Sequence, residues 1–160
     1  KYKTTFPEPI RFETGEGYVP SLSGEGKMSK SVEGSFINLT DSFEQIKNKV
    51  SKIPTDLGRG EKLPEKGGVA TLFRLIEIFE GEEKRRECEK DYLSSGLRYG
   101  ELKNELSLQI FKNLEEIQKK RNDITGKKNF IEEILREGAK RARKIAEETM
   151  FEVKQKMGIN

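Results

Sequence analysis

The chain has 160 residues, of which 37% are charged and 32% hydrophobic, and its net charge is +3 at pH 7. That length fits one ordinary domain, or a small domain with the edge of another, and the small net charge does not by itself indicate a nucleic-acid-binding protein. The chain has no histidine and one cysteine, which excludes nucleophile–histidine catalytic sites, histidine-ligated metals and an internal disulfide within it.

The first residue and the apolar content of the chain lead to expectations about its parent protein and its location in the cell. It begins at a lysine, so we expect a piece of a longer protein or a processed one. No apolar run is long enough to span a bilayer, and no secretory signal pattern is present. We therefore expect a cytoplasmic protein without a membrane partner. No metal site is predicted, and Cys88, among charged residues, is interpreted as an inert, half-buried thiol.

Residues 1–35 are rich in glycine and proline and show no helical periodicity. Pro7 and Pro9 exclude a helix interior there, because each proline biases the preceding residue toward extended geometry. Tyr18 and Val19 predict a short strand that leads into a loop at Pro20. We interpret residues 1–35 as the edge of a separate α/β domain that is otherwise absent from the chain.

A short cationic segment lies in this loop between two glycines, Gly26 and Gly34. Lysine carries a compact charge on a flexible stem, and serine hydroxyls donate hydrogen bonds to phosphate oxygens, so the segment suits a polyphosphate. The alternative is an ordinary solvated loop of lysines and serines. The residues of the segment are Lys27, Met28, Ser29, Lys30 and Ser31.

From residue 36 onward, apolar residues recur with helical period, and no strand pattern separates them. We predict helices at residues 42–52, 69–79, 82–95, 101–122 and 130–157, packed as a helical bundle in a mainly α domain at residues 36–160. Thr40 or Asp41 is expected to cap the first helix, and Gly81 to end the second. The predicted inner faces of the third and fourth helices are Cys88, Tyr92 and Leu93, and Leu102, Leu106, Ile110, Leu114 and Ile117. On the last helix, one face carries the apolar residues Ile131, Ile134, Leu135, Ala142, Ile145, Ala146 and Val153.

Two polar clusters near the C-terminus are candidate contacts for a nucleic acid. Basic residues on the last helix could follow a phosphate backbone, although interleaved glutamates allow ion pairs within the helix instead. A second cluster, at the predicted end of the preceding helix, could instead complement the helix dipole. Its amide and carboxylate could read unpaired bases. The first cluster is Arg136, Lys140, Arg143 and Lys144, and the second is Lys119, Arg121, Asn122 and Asp123.

Several stretches, taken in order, resemble class I aminoacyl-tRNA synthetases, and among them the bacterial-type tryptophanyl-tRNA synthetases. The resemblance covers nearly the whole chain. It rests on Val19-Pro20-Ser21-Leu22, Lys27-Met28-Ser29-Lys30-Ser31, Ile37-Asn38-Leu39-Thr40-Asp41, Thr55-Asp56, Gly67-Gly68-Val69-Ala70-Thr71-Leu72, Tyr99-Gly100-Glu101-Leu102-Lys103 and Gly138-Ala139-Lys140-Arg141-Ala142.

The resemblance implies an enzyme that activates tryptophan with ATP and Mg²⁺ and transfers it to tRNA(Trp). It implies that Val19 and the segment Lys27, Met28, Ser29, Lys30 and Ser31 bind ATP, with Lys27 and Lys30 stabilising the departing pyrophosphate. The helical part would recognise the anticodon, and residues 1–35 would be the edge of the family's Rossmann-type α/β catalytic domain. The Mg²⁺ ligands would lie outside this chain, and the family's homodimer interface would lie largely outside it. The family's histidine-containing loop and tryptophan pocket are also absent, so the chain alone is expected to be inactive.

Other interpretations remain open at this point. The tyrosine enzyme shares the fold and the loop, and a stand-alone helical RNA-binding module or a helical interaction domain would also fit the pattern. The chain departs from the family where Val32-Glu33-Gly34 follows the lysine–serine segment, in place of the common Asp-Pro. That departure predicts a more flexible loop.

Overall fold

The computed structural model describes residues 5–10 and 18–159, and over these ranges the regular structure is helical. The mainly α prediction is confirmed. The helices are α1 (Phe43–Ser51), α2 (Gly68–Glu80), α3 (Glu82–Leu93), α4 (Tyr99–Thr125) and α5 (Lys128–Met157). No helix in the described ranges is both long enough and apolar enough to cross a membrane.

The segment around Pro20 forms a narrow turn-back rather than the predicted strand. Its only β-type pairing is an isolated antiparallel bridge between Pro20 and Lys27. Ser21 N–H donates to Gly26 O at 3.0 Å, and Met28 N–H donates to Val19 O at 2.9 Å. Because proline has no N–H to donate, the ladder does not extend, and the prediction of a strand at Tyr18 and Val19 is wrong.

The chain divides into two compact units. The larger unit contains the described residues 18–119, and the smaller contains residues 5–10 and 120–159. The lysine–serine segment therefore belongs to the same unit as α1, α2, α3 and most of α4. The domain division predicted between residues 35 and 36 stays a prediction.

The core of the larger unit is built from one face of each of α1 to α4. Each buried aliphatic or aromatic side chain of this kind stabilises the fold by about 1.5–3 kcal/mol. Two edge-to-face aromatic pairs join the helices, Phe43 with Phe111 at 5.9 Å and Phe73 with Tyr92 at 5.8 Å between ring centroids. The buried set is Leu22, Ile46, Val50, Ile53, Val69, Leu72, Phe73, Leu75, Ile76, Cys88, Tyr92, Leu102, Leu106, Ile110 and Leu114.

Helix α1 is capped by Ser42, so the prediction of Thr40 or Asp41 as its cap is wrong. The Ser42 hydroxyl accepts the Gln45 N–H at 3.3 Å, and the Gln45 side chain accepts the Ser42 N–H at 2.8 Å. This reciprocal pair is the capping box that a serine three residues before a glutamine favours. Asp41 is used differently, because its carboxylate accepts the Asn38 N–H and the Lys49 ammonium.

Gly81 ends α2 as predicted, and two glycines allow close backbone approaches at its start. A Cβ at Gly68 would overlap the carbonyl oxygen of Pro54. Gly24 has φ +89°, and a Cβ there would lie 2.6 Å from Gly68 N. The turn-back that carries the lysine–serine segment therefore lies directly against the first turn of α2.

Two predicted core residues of α3 and α4 lie at the surface. Leu93 is 43% exposed, because α3 ends at that residue and Ser94 leaves the helical conformation. Ile117 is 47% exposed, because the buried face of α4 ends at Leu114. Beyond that point α4 contacts the loop before α1, where the Gln118 amide donates to Leu39 O and Asp41 O.

The apolar face predicted for the last helix is present, but α5 buries none of its residues. Ile134, Leu135 and Ile145 are 51%, 67% and 65% exposed. The smaller unit holds little other chain that could cover this face, and Lys156 Nζ contacts Thr5 Oγ1 at 3.0 Å near its far end. The apolar face is therefore where the periodicity places it, but periodicity shows which side of a helix is apolar and not what covers it.

Candidate nucleotide-binding loop and basic surfaces

A cavity of about 410 Å³ lies beside the lysine–serine segment. Every residue predicted to bind ATP, except Ser31, lines it. Tyr18, Phe36 and Ile37 complete the wall, and none of the three was a predicted site residue. The lining residues are Tyr18, Val19, Lys27, Met28, Ser29, Lys30, Phe36 and Ile37.

The segment is folded as two consecutive turns. Val32 N–H donates to Ser29 O at 3.3 Å, and Ser35 N–H donates to Val32 O at 3.2 Å. Gly34 has φ +75°, a conformation that the second turn requires and that glycine adopts without strain. Lys30 and Ser31 therefore occupy the tip of the first turn, where their side chains are exposed.

Ser35 holds the two turns together and was not identified from the sequence. It is 1% exposed, and its hydroxyl lies 2.7 Å from Ser29 O and 2.8 Å from Val32 O. The same oxygen accepts the Ser29 N–H at 3.4 Å. The Ser35 carbonyl accepts the Leu22 N–H at 3.0 Å. The only sequence signal was a small hydroxyl residue placed directly after the glycine of the turn.

The base of the loop is fixed to α2 and to the core. Leu22 is 2% exposed and belongs to the core, and Met28 packs against that core. The Thr71 hydroxyl of α2 donates to Ser21 O at 3.4 Å. The loop is therefore more firmly attached than a freely solvated lysine–serine loop would be.

The far wall of the cavity is positioned by α1. The Lys49 ammonium lies 5.1 Å from the centre of the Phe36 ring and forms an ion pair with Asp41. Burial raises the pKa of the Asp41 carboxyl, but hydrogen bonds from Lys49 and Asn38 outweigh burial and bring the pKa below its ordinary value. Asp41 is therefore ionised at neutral pH and keeps Lys49 beside Phe36.

The mouth of the cavity carries positive charge without a neutralising partner. Lys27 and Lys30 are both exposed, and neither forms an ion pair within residues 5–10 and 18–159. The Ser29 hydroxyl accepts the Ser31 N–H at 3.3 Å, which leaves its hydrogen available to a ligand. Two ammonium groups and a serine hydroxyl at one opening suit the oxygens of a polyphosphate.

A hydrogen-bonded cluster around Asp56, the Asp56 cluster, joins the loop before α2 to α3 and α4. The Asp56 carboxylate accepts the Tyr92 hydroxyl at 2.6 Å, the Tyr99 hydroxyl at 2.7 Å and the Gly58 N–H at 2.7 Å. Burial raises the pKa of Asp56, but these three hydrogen bonds outweigh burial, so the pKa lies below its ordinary value. The hydroxyls of both tyrosines are therefore engaged with Asp56.

The single thiol lies in the core of the same unit. Cys88 is 4% exposed. Burial raises its pKa to about 11, so the thiol stays protonated at neutral pH. A protonated, buried thiol is a poor nucleophile, in agreement with the interpretation of Cys88 as inert.

The basic residues of α5 form an exposed face of the helix. Arg136, Lys140, Arg143 and Lys144 all face solvent. Lys140 contacts Glu137 at 2.9 Å, and the other three form no ion pair within the described ranges. The alternative that intrahelical pairs neutralise this face therefore applies to one of its four cations.

The candidate cluster of Lys119, Arg121, Asn122 and Asp123 lies near the end of α4, and both of its cations lie before the last turn. Lys119 contacts Glu115 at 3.0 Å, and Arg121, Asn122 and Asp123 are exposed. Because α4 continues to Thr125, its last turn contains no basic residue. The alternative that these cations complement the helix dipole at the last turn is therefore wrong.

Comparison with known proteins identifies the family. Residues 1–115 match the family described as tRNA synthetases class I (W and Y). The chain belongs to this family. It is 37% identical over 159 residues to the tryptophan–tRNA ligase of Porphyromonas gingivalis, covering 96% of this chain and 48% of that protein. It is 32% identical over 161 residues to the tryptophan–tRNA ligase of a Nostoc species, covering 96% of this chain and 46% of that protein.

Solved structures give the same assignment. The crystal structure of Campylobacter jejuni tryptophanyl-tRNA synthetase complexed with ADP and tryptophan matches with a TM-score of 0.69 and 30% identity, over 89% of this chain and 44% of that one. The resemblance to tryptophanyl-tRNA synthetases predicted from the sequence is confirmed. The chain spans about half the length of the curated relatives it matches.

The synthetase family implies Mg²⁺ with ATP. Mg²⁺ prefers carboxylate and phosphate oxygens in octahedral geometry. The residues that line the cavity include two lysines and no carboxylate. No group of three acidic or cysteine side chains within the described ranges could hold a metal ion. The described residues therefore do not fit Mg²⁺.

The Asp56 cluster gives a pH-dependent prediction for this synthetase chain. Replacing Asp56 by Asn is expected to destabilise it by at least about 1 kcal/mol at neutral pH, because both tyrosine hydroxyls lose a charged acceptor and one of them then faces an amide NH2 group that cannot accept. Because the pKa of Asp56 is lower in the folded chain than in the unfolded chain, its ionisation stabilises the fold at pH values above the unfolded pKa. This stabilisation is lost as the pH falls through the pKa of the folded chain. The difference in free energy of unfolding between the variant and wild type is therefore expected to shrink below about pH 4.

Urea unfolding at several pH values measures this difference. Asp123→Asn, at an exposed position of α4, is the matched control and is expected to change stability little at any pH. A difference for Asp56→Asn that stays constant down to pH 2 would contradict the proposed linkage.

Proposed function

We propose that this chain is the part of a tryptophan–tRNA ligase that supplies the ATP-phosphate loop and the tRNA-contacting helices. The complete enzyme would convert tryptophan and ATP to tryptophanyl-adenylate and then transfer tryptophan to tRNA(Trp). The observation that carries the proposal is the placement of Val19, Lys27, Met28, Ser29 and Lys30 around one cavity, with two ammonium groups that form no ion pair with any described residue. The relatives support tryptophan as the amino acid.

The loop would act on the departing pyrophosphate. In adenylate formation, a carboxylate oxygen of tryptophan attacks the α-phosphorus, and the bond from that phosphorus to its bridging oxygen breaks. The pyrophosphate leaves with the electron pair, so negative charge grows on its oxygens. Ammonium groups placed there before the reaction stabilise the transition state without reorganising solvent. Lys27 and Lys30 would supply these charges, and the hydroxyls of Ser29 and Ser31 would donate to phosphate oxygens.

Val19 would contact the nucleoside part of ATP. Its carbonyl oxygen accepts the Met28 N–H at 2.9 Å, and its side chain is 37% exposed toward the cavity. The side chain of Val19 would therefore form an apolar surface under the adenine. The hydrogen bond from the Met28 N–H to the Val19 carbonyl would keep that surface at a fixed distance from the lysines.

The helical residues 36–160 would form the anticodon-recognition domain. The exposed cations of α5, Arg136, Lys140, Arg143 and Lys144, would follow phosphates, which supply most of the affinity in such complexes. On α4, Lys119 and Arg121 would add phosphate contacts. Asn122 and Asp123, both exposed, present the hydrogen-bonding groups that read base edges in unpaired RNA. The homodimer that the family implies stays a prediction.

ATP–pyrophosphate exchange by the full-length protein, measured with each of the twenty amino acids in turn, tests the proposal. Exchange with tryptophan alone is the expected result, because the exchange requires reversible adenylate formation. Exchange with tyrosine alone would support the same role for the loop but would make tyrosine, and not tryptophan, the amino acid that the enzyme activates. Exchange with no amino acid would overturn the ligase proposal and favour a non-catalytic RNA-binding module.

A further inference from the structure

The polar groups of Ser35 connect three parts of the loop region, at Ser29, Val32 and Leu22. Its hydroxyl lies between the carbonyl oxygens of Ser29 and Val32, at 2.7 and 2.8 Å. Its N–H closes the second turn on Val32, and its carbonyl accepts the N–H of Leu22, a core residue. No other residue of the loop links the lysine-bearing turn to the core in this way within the described ranges.

The contacts between the Ser35 hydroxyl and Ser29 are the ones that affect the position of the lysines. Ser29 begins the turn that has Lys30 and Ser31 at its tip, and its N–H and carbonyl both contact the Ser35 hydroxyl. The other hydrogen bonds within that turn, from Val32 N–H to Ser29 O and from Ser31 N–H to the Ser29 hydroxyl, are both long at 3.3 Å. Without the Ser35 hydroxyl, the turn would keep only these two weak bonds and would lose the hydrogen bond that joins Ser29 to a buried side chain.

We propose that Ser35 is a positioning residue, which holds the turn carrying Lys30 and the adjoining Lys27 in the conformation that faces the cavity. This inference rests on the proposed function, because it gives the role of Ser35 in adenylate formation. Ser35 is buried and does not line the cavity, so it would act only through the loop. Its loss would lower the fraction of enzyme in which both ammonium groups meet the pyrophosphate.

The test uses the full-length protein with Ser35→Ala and two readouts. Hydrogen–deuterium exchange of the peptide covering residues 27–35 is expected to quicken about tenfold, the effect of losing a buried hydrogen bond. In ATP–pyrophosphate exchange, kcat is expected to fall by about tenfold as well, with the KM for tryptophan unchanged. Ser107→Ala is the matched control, because Ser107 is also fully buried and its hydroxyl donates to Lys103 O within α4.

Ser35→Cys separates the hydrogen bond from the packing, because a thiol has a similar shape but is a weak donor. A cysteine variant that behaves like the alanine variant supports the proposal, and one that behaves like wild type overturns it. Unchanged deuterium exchange in Ser35→Ala, or faster exchange with unaltered kcat, also overturns it. If wild type shows no pyrophosphate exchange with any amino acid, the proposed function fails, and the positioning role in adenylate formation fails with it. Deuterium exchange then still shows whether Ser35 anchors the loop.

Discussion

Replacing Lys27 or Lys30 by alanine in the full-length protein is expected to lower the kcat of tryptophan-dependent pyrophosphate exchange by about a hundredfold. Both ammonium groups are exposed at the mouth of the cavity and form no ion pair within the described ranges. The negative charge on the departing pyrophosphate is larger in the transition state than in bound ATP. A charge that meets it there contributes mainly to the rate and less to ATP affinity.

The measurement is the KM for ATP and the kcat of exchange for each variant. ATP affinity is expected to change by no more than about threefold, since phosphate contacts in the ground state are shared among several groups. Lys90→Ala, at an exposed position of α3, is the matched control and is expected to leave both parameters unchanged. Equal losses of rate and affinity would contradict a transition-state role and would indicate uniform ATP binding instead.

The positions of the helices could be predicted from sequence because their signals are local. The apolar repeat of α4 and the glycine at residue 81 place the corresponding helices to within about three residues of the observed bounds. The cap of α1 was misassigned because three neighbouring residues, Thr40, Asp41 and Ser42, can all act as caps. Only Ser42 is followed three residues later by a glutamine that returns the hydrogen bond.

Burial was harder to predict because it depends on what lies opposite. The face of α4 with Leu102, Leu106 and Ile110 is buried because α1, α2 and α3 supply the other side. The apolar face of α5 shows an equally clear period, yet Leu135 and Ile145 stay mostly exposed. Periodicity carries the same information in both cases, and only the presence of a packing partner differs.

The same distinction holds for the candidate site. Lys27, Ser29 and Lys30 could be identified from residue types and spacing, because that chemistry is contained in five consecutive residues. Phe36 lines the cavity because Lys49, thirteen positions later, lies over its ring. Asp56 receives its bonds from tyrosines 36 and 43 positions away. Contacts at such separations follow from how helices pack, which a local pattern does not show.

Reversing the charge of Arg136, Lys140 and Arg143 to glutamate is expected to weaken tRNA binding by the full-length protein by about ten- to a hundredfold at low salt. A cation that contacts a phosphate releases a counterion, so each lost contact reduces the slope of log affinity against log salt by about one. The slope for the triple variant is therefore expected to be smaller than that of wild type by up to about three. Filter binding of tRNA(Trp) at several salt concentrations measures both quantities.

A control with the same change in net charge separates contact from long-range attraction. Lys47, Arg86 and Lys90 are exposed on α1 and α3, and their reversal to glutamate changes the net charge by the same amount. If α5 contacts the phosphates, this control lowers affinity less and leaves the slope nearly unchanged, because distant charges are screened within about 10 Å at 0.1 M salt. An equal change of slope in both variants would show that only net charge matters. A wild-type slope in the α5 variant would show that this face does not contact the tRNA, and Lys119 and Arg121 on α4 would then be the phosphate contacts to test.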